Sequence, residues 1–183
     1  NNVFSTTFTE RYADAHLHIS IDASGSMSGD KWTESIKCAT AICKAASMID
    51  GLDVVVDIRS TKGDSPVVVI CYDSRVDKFS HIRKFWKHLG PAGTTPEGLC
   101  FEAISNYLVD SNRNKESYFL NFSDGMPMFS NQDINYHGST AIEHTKKKVN
   151  DIKKRGIRMM SYFVTGSYDS DRTSRDFKHM YGS

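Results

Sequence analysis

Five stretches of the chain hold apolar residues in short, dense runs: Leu17 to Ile21, Val54 to Ile58, Val67 to Tyr72, Tyr118 to Phe122 and Ile157 to Val164. Each is rich in β-branched or aromatic residues, and several are nearly continuous, as in strands covered on both faces of a sheet. Between the first two runs, Trp32, Ile36, Ala39, Cys43 and Ala46 recur at spacings of four and three, which puts them on one helical face. Ser28, Gly29 and Asp30 supply start signals for that helix. A second helix is expected after Pro96, continuing through Leu99, Ala103 and Tyr107. A third is expected over Thr140 to Arg155, with Ile142, Val149 and Ile152 as its apolar stripe and Lys153, Lys154 and Arg155 before the stop at Gly156. A last helix is expected around Asp171 to Met180.

The segment from Ser60 to Pro66 is too short for a helical crossover, so the second and third runs should pair as an antiparallel hairpin. The element order then predicts an α/β, doubly wound fold: a mostly parallel central sheet with one antiparallel edge strand and helices on both faces. A chain of 183 residues suits one sizeable core rather than two. The expectation is therefore a single domain over residues 1–183.

Composition narrows the chemistry. Lys plus Arg number 23 against 22 Asp plus Glu, so no global field attracts nucleic acid or an anionic membrane. No apolar run approaches the roughly 20 residues needed to span a bilayer. The four cysteines, Cys38, Cys43, Cys71 and Cys100, sit in apolar stretches without a Cys-x-x-Cys pair and read as buried free thiols. With no signal peptide at the start, that usage points to the cytoplasm.

Candidate chemistry collects where strands end. Asp22-Ala-Ser24-Gly-Ser26-Met-Ser28-Gly29 follows the first strand, Gly93-Thr94-Thr95-Pro96 opens a helix, and Ser123-Asp124-Gly125-Met126-Pro127 ends the fourth strand. Ligand sites of open α/β sheets lie at that edge. All the donors are oxygens, and two carboxylates with several hydroxyls suit a small hard cation. Mg²⁺ fits, with Mn²⁺ or Ca²⁺ as substitutes.

Asp22-x-Ser24-x-Ser26, a Gly-Thr segment and a strand-terminal Ser-Asp-Gly together resemble the metal-ion-dependent adhesion site of von Willebrand factor A (vWA) domains. The resemblance covers about His16 to Val164. It implies a vWA/Rossmann-like fold and a metal held by Asp22, Ser24, Ser26, Thr95 and Asp124, with Thr94 the alternative threonine. It also implies an ion that accepts an Asp or Glu from a partner protein. The Ser123 to Pro127 segment is similar to the cobalt chelatase subunit of cobalamin synthesis and its bacterial and phage relatives. That likeness implies a non-catalytic subunit beside an AAA+ ATPase ring, and the chain itself lacks a Gly-x-x-x-x-Gly-Lys-Ser/Thr loop. Domains of this family usually finish with a further strand and helix beyond the last helix expected here.

Rival readings are weighed on the same residues. A Mg²⁺-dependent phosphotransferase or phosphatase would also place Asp at strand ends, but the position two after Asp22 is Ser24, and the sequence shows no Lys or Arg obviously beside Asp124. His16 with His18, or His81 with His88 on one helix face, could bind zinc but lack a third ligand. Lys146, Lys147 and Lys148 read as a solvated helix face rather than a nucleic-acid contact. The long segment from Met126 to Ser139, with Met128, Phe129, Tyr136 and His137, is expected either to rim the partner site or to pack locally.

Overall fold

The computed structural model describes residues 14–165 and 171–182. Five strands form the main sheet in the order β3-β2-β1-β4-β7, with β1 Asp14–Asp22, β2 Leu52–Lys62, β3 Ser65–Asp73, β4 Lys115–Ser123 and β7 Arg158–Phe163. All neighbours are parallel except β2 and β3, which pair antiparallel from Lys62↔Ser65 outward. The turn there is only Gly63-Asp64, so both strands run further than their apolar cores suggest. Two short strands, β5 Phe129–Ser130 and β6 Asn135–Tyr136, make a separate hairpin that apolar patterning gives no hint of.

Helices cover both faces. On one, α1 (Asp30–Ala46) and α2 (Ser80–Phe85) pack on Leu17, Ile19, Ile21, Val54, Val56, Ile58, Leu120 and Phe122. On the other lie α3 (Glu97–Ile104), α4 (Gly138–Lys154) and α5 (Asp171–Tyr181), which join Phe119 in a second cluster. The α1 and α4 stripes lie inward much as their spacing predicts, with Ile36 only half-buried. Helix α3 ends at Ile104, before Tyr107; Glu97, Cys100, Phe101 and Ile104 are buried on it, Leu99 is half-buried, and Ala103 is exposed. Positions 97, 100, 101 and 104 also follow helical spacing, and Phe101 takes the core because Phe119 meets its ring edge-on at 5.5 Å.

Three of the cysteines are buried, and burial pushes the Cys43, Cys71 and Cys100 thiols up to about 12. Cys38 is exposed, contrary to expectation, because it falls on the outer face of α1. No helix among the described residues is long and apolar enough to cross a membrane.

Alternation along β1 sorts its side chains by chemistry. Leu17, Ile19 and Ile21 face the first core, while His16, His18, Ser20 and Asp22, all buried, face α3 to α5. Such a polar row inside a sheet needs partners, and β2 supplies them for His18 and Ser20. Asp57 Oδ2 lies 2.5 Å from His18 Nε2, and Ser20 Oγ donates to Asp57 Oδ1 at 2.7 Å. Arg59 donates to Ser20 Oγ at 2.8 Å, to Glu97 Oε1 at 2.7 Å and to the Phe122 carbonyl at 3.2 Å. Tyr181 and Asn121 also donate to Glu97 Oε1.

Candidate metal centre

β1 is central, with its onward connection leaving to β2 on one side and β4 on the other, so the strand order reverses between β1 and β4. Crevices of open α/β sheets form at such a point. Three loops meet there and are stitched backbone to backbone. Gly25 N–H donates to the Gly93 carbonyl at 3.1 Å, Ala92 N–H to Ala23 at 2.8 Å and Met128 N–H to Thr95 at 2.7 Å. Gly93 is required in this arrangement. Its φ is +70°, and a Cβ would fall 2.1 Å from Thr61 Oγ1.

The loops enclose a cavity of about 330 Å³ lined by Ser24, Ser26, Lys31, Thr94, Thr95, Asp124, Met126 and Met128 among others. Its oxygens form a chain: Ser24 Oγ lies 3.0 Å from Ser26 Oγ, which donates to Asp124 Oδ1 at 2.9 Å. Four of the five expected ligands, Ser24, Ser26, Thr95 and Asp124, thus share the cavity, and so does Thr94. Asp22 does not line it. Fully buried behind Ser24, it accepts the Ser24 N–H at Oδ1, 2.8 Å, and its Oδ2 is 3.2 Å from Ser123 Oγ. Ser123 Oγ is also 3.0 Å from Glu97 Oε2, so the polar row of the sheet reaches the floor of the cavity.

Burial raises the Asp22 carboxyl to about 6, with Glu97 adding to the rise and Arg59 and the Ser24 N–H opposing it. For Arg59, burial works against the charge, but the Glu97 and Asp22 carboxylates outweigh it and leave the guanidinium firmly protonated. Asp22 therefore sits in an environment that welcomes positive charge nearby.

One residue escaped the sequence reading. Lys31, in the first turn of α1, donates from Nζ to Asp124 Oδ2 at 2.9 Å. Asp124 therefore has a lysine beside it, although the two are far apart in sequence. Only the junction of β1 with α1 brings them together, and no local motif marks it.

No group of three or more His, Cys, Asp or Glu side chains among the described residues is arranged to hold a metal ion. Any ion in this cavity would rest largely on hydroxyls, which suits a hard, oxygen-seeking cation and not zinc. The histidines are placed accordingly. His16 and His18 point into the sheet's polar face, His81 lies on α2, and His88 falls beyond its end. In the Met126 to Ser139 segment the roles divide. Phe129 and Tyr136 pack locally with Ala141, while Met126 and Met128 face the cavity.

The architecture recurs in solved structures. The pilus adhesin SpaC from Lactobacillus rhamnosus GG, in its open conformation, matches with a TM-score of 0.69 at 12% identity, over 95% of this chain and 27% of its own. The manganese-loaded TRAP protein of Plasmodium vivax matches at 0.65 and 16% identity, over 89% of this chain and 61% of its own. The SpRpn10 VWA domain matches at 0.59 and 13% identity, over 94% of this chain and 84% of its own. This chain therefore spans less than two thirds of the SpaC and TRAP chains. No protein-family model and no curated protein sequence matches it. The shared property is the fold, which is that of a vWA domain.

Proposed function

We propose that the chain is a divalent-metal-dependent protein-binding module. Ser24, Ser26, Thr95 and Asp124 would hold the ion, with Asp22 orienting the Ser24 loop from behind and Thr94 within reach. A bound Mg²⁺ or Mn²⁺ would supply an open, electrophilic position for an Asp or Glu carboxylate of the partner. The observation that carries this reading is the unbroken run of oxygens from Ser24 through Ser26 to Asp124, in a cavity where Lys31 already brings a cation to Asp124. That TRAP, of the same fold, was solved loaded with manganese adds support. Met126 and Met128 would form an apolar rim for the partner.

The finer reading is that this partner belongs to an AAA+ ATPase ring in a chelatase-like assembly, supported by the likeness of Ser123 to Pro127. A cytoplasmic setting is supported by four cysteines without a disulfide. The single domain over 1–183 belongs to the same proposal.

The second reading is a Mg²⁺-dependent phosphotransferase or phosphatase, and the Lys31–Asp124 pair favours it, since such sites place a lysine near their carboxylates. Against it, Asp22 is fully buried and both its oxygens are engaged, so it cannot reach a phosphorus atom. Isothermal titration of Mg²⁺ and Mn²⁺ into wild type, Asp22→Ala and Asp124→Ala, alongside a p-nitrophenyl phosphate assay, separates the readings. The binding module predicts metal uptake by wild type, loss in both variants and no turnover. Full affinity in Asp22→Ala or Asp124→Ala would remove the site assignment, and metal-dependent turnover would make the chain an enzyme.

A further inference from the structure

A second surface, sharing no residue with the metal cavity, lies between α1 and α2. Its main groove, about 540 Å³, has Ile36, Ala41, Phe79 and Trp86 as apolar lining and Lys37, Lys44 and Arg83 at its margins. A neighbouring depression of about 360 Å³ shares Phe79 and Arg83 and adds Lys84 and Lys87. The floor is anchored. Ile36, Phe79 and Trp86 pack on the first core, and Trp86 Nε1 donates to Thr40 Oγ1 at 2.9 Å while its ring meets Trp32 edge-on at 6.1 Å.

Cations predominate around this groove, although Lys37 on α1 already pairs with Glu34 at 2.7 Å. From Lys78 to Pro96 the chain carries Lys78, Arg83, Lys84 and Lys87 and not one Asp or Glu, although the whole protein is nearly neutral. Elsewhere, cations have local partners: Lys148 meets Glu102 at 2.9 Å, Lys154 meets Asp151 at 3.3 Å and Arg155 meets Asp110 at 2.5 Å. Arg83, Lys84 and Lys87 form no salt bridge among the described residues. Arg83 and Lys84 on α2 and Lys87 in the turn after it are all exposed and repel one another, and an anionic occupant would relieve that repulsion.

We propose that the α1–α2 groove is a docking site for an acidic peptide segment of a partner protein, with apolar side chains seated on Ile36, Phe79 and Trp86 and carboxylates paired with Arg83, Lys84 and Lys87. The apolar floor requires an occupant with apolar side chains, which a free anion lacks. Its position along the seam of two helices suits an extended chain segment. Base stacking is disfavoured, because Lys44 Nζ sits over the Phe79 ring at 5.4 Å and Trp86 is held edge-on and half-buried. Peptide grooves of this kind take specificity from anchors and steering from the rim.

The test uses a fluorescein-labelled short peptide in which Glu alternates with Leu and Phe, followed by anisotropy and by tryptophan emission. The protein's two tryptophans are Trp32, which is buried, and Trp86, which lines the groove, so occupancy should shift the emission. Binding is expected to weaken with salt, to be unaffected by EDTA and by Asp22→Ala, and to fall about tenfold in the exposed triple variant Arg83→Glu/Lys84→Glu/Lys87→Glu. Restoring affinity in that variant with a peptide carrying Lys in place of Glu would establish the charge pairing. Equal binding of the acidic and basic peptides to wild type would overturn the proposal. So would loss of binding with EDTA, or charge-dependent binding of anionic vesicles or single-stranded DNA in place of the peptide.

Discussion

The two faces of β1 start from the same backbone and end in different chemistry. On one face, Leu17, Ile19 and Ile21 meet Val54, Val56 and Ile58 under α1 and α2, with almost no polar atom in the cluster. On the other, His16, His18, Ser20 and Asp22 meet Asp57, Arg59, Asn121 and Ser123 under α3 to α5, all out of contact with water. Apolar contacts are non-directional, so the first face holds the sheet without fixing any single group. Hydrogen-bonded polar contacts are directional and costly when left unmade, so the second face fixes particular atoms. The row of bonds from His18 through Asp57, Ser20, Arg59 and Glu97 to Ser123 ends at Asp22, under the candidate metal centre.

The largest effect should come from the polar face. Arg59→Leu leaves Glu97 and Asp22 buried without their cation and should cost about 3–5 kcal/mol in urea unfolding. Adding Glu97→Leu should return part of that loss, since both charges of the buried pair are then gone; an additive double variant would show that the two residues do not act as a unit. On the apolar face, Ile19→Ala should cost about 2–4 kcal/mol through lost burial and a residual cavity. Metal uptake per folded molecule should be unchanged there, and a variant with weakened metal binding would mean that the faces are not separable.

His16 gives the contrast a pH signature. Burial, helped by His18, Arg75 and Lys115 and opposed by Asp53, lowers it from 6.5 to about 4. Between those values the unfolded chain binds a proton that the fold refuses, so stability should drop as pH falls through 6.5 and level off below 4. The full effect is at most about 3 kcal/mol. Both ring nitrogens of His16 are buried without a hydrogen-bond partner, so His16→Leu should lose nothing at neutral pH and should flatten this part of the acid slope. Parallel slopes for the two proteins would rule out a neutral, buried His16. The smallest effect is expected from Ser26→Ala, which removes one exposed hydroxyl from the cavity and should weaken Mn²⁺ binding about tenfold with stability within about 0.5 kcal/mol of wild type.

The fold was legible because its strands are continuous apolar runs and its two long helices keep strict spacing. The candidate cavity was legible because its groups lie on short loops with characteristic residue order. The support beneath it was not. Arg59 follows an apolar strand and reads as the point where that strand meets solvent, and Glu97 opens a helix, where an exposed acid is commonplace. Only the register that places Arg59 beside Asp22, and the packing that brings Glu97 within 2.7 Å of Arg59, reveal the buried pair. Lys31 was missed for the same reason, since nothing local ties it to Asp124. The buried face of α3 was not legible either, because two stripes of the helix satisfy the spacing, and the choice between them belongs to Phe119 on another strand.

Anomalous diffraction from crystals grown with Mn²⁺ tests the central claim most directly. The account predicts a single strong peak between Ser24, Ser26 and Asp124, about 2.1 Å from its nearest oxygens, with Lys31 Nζ moved away from Asp124. A cavity without a peak and with the Lys31–Asp124 contact intact, at a Mn²⁺ concentration that loads other sites, would contradict it.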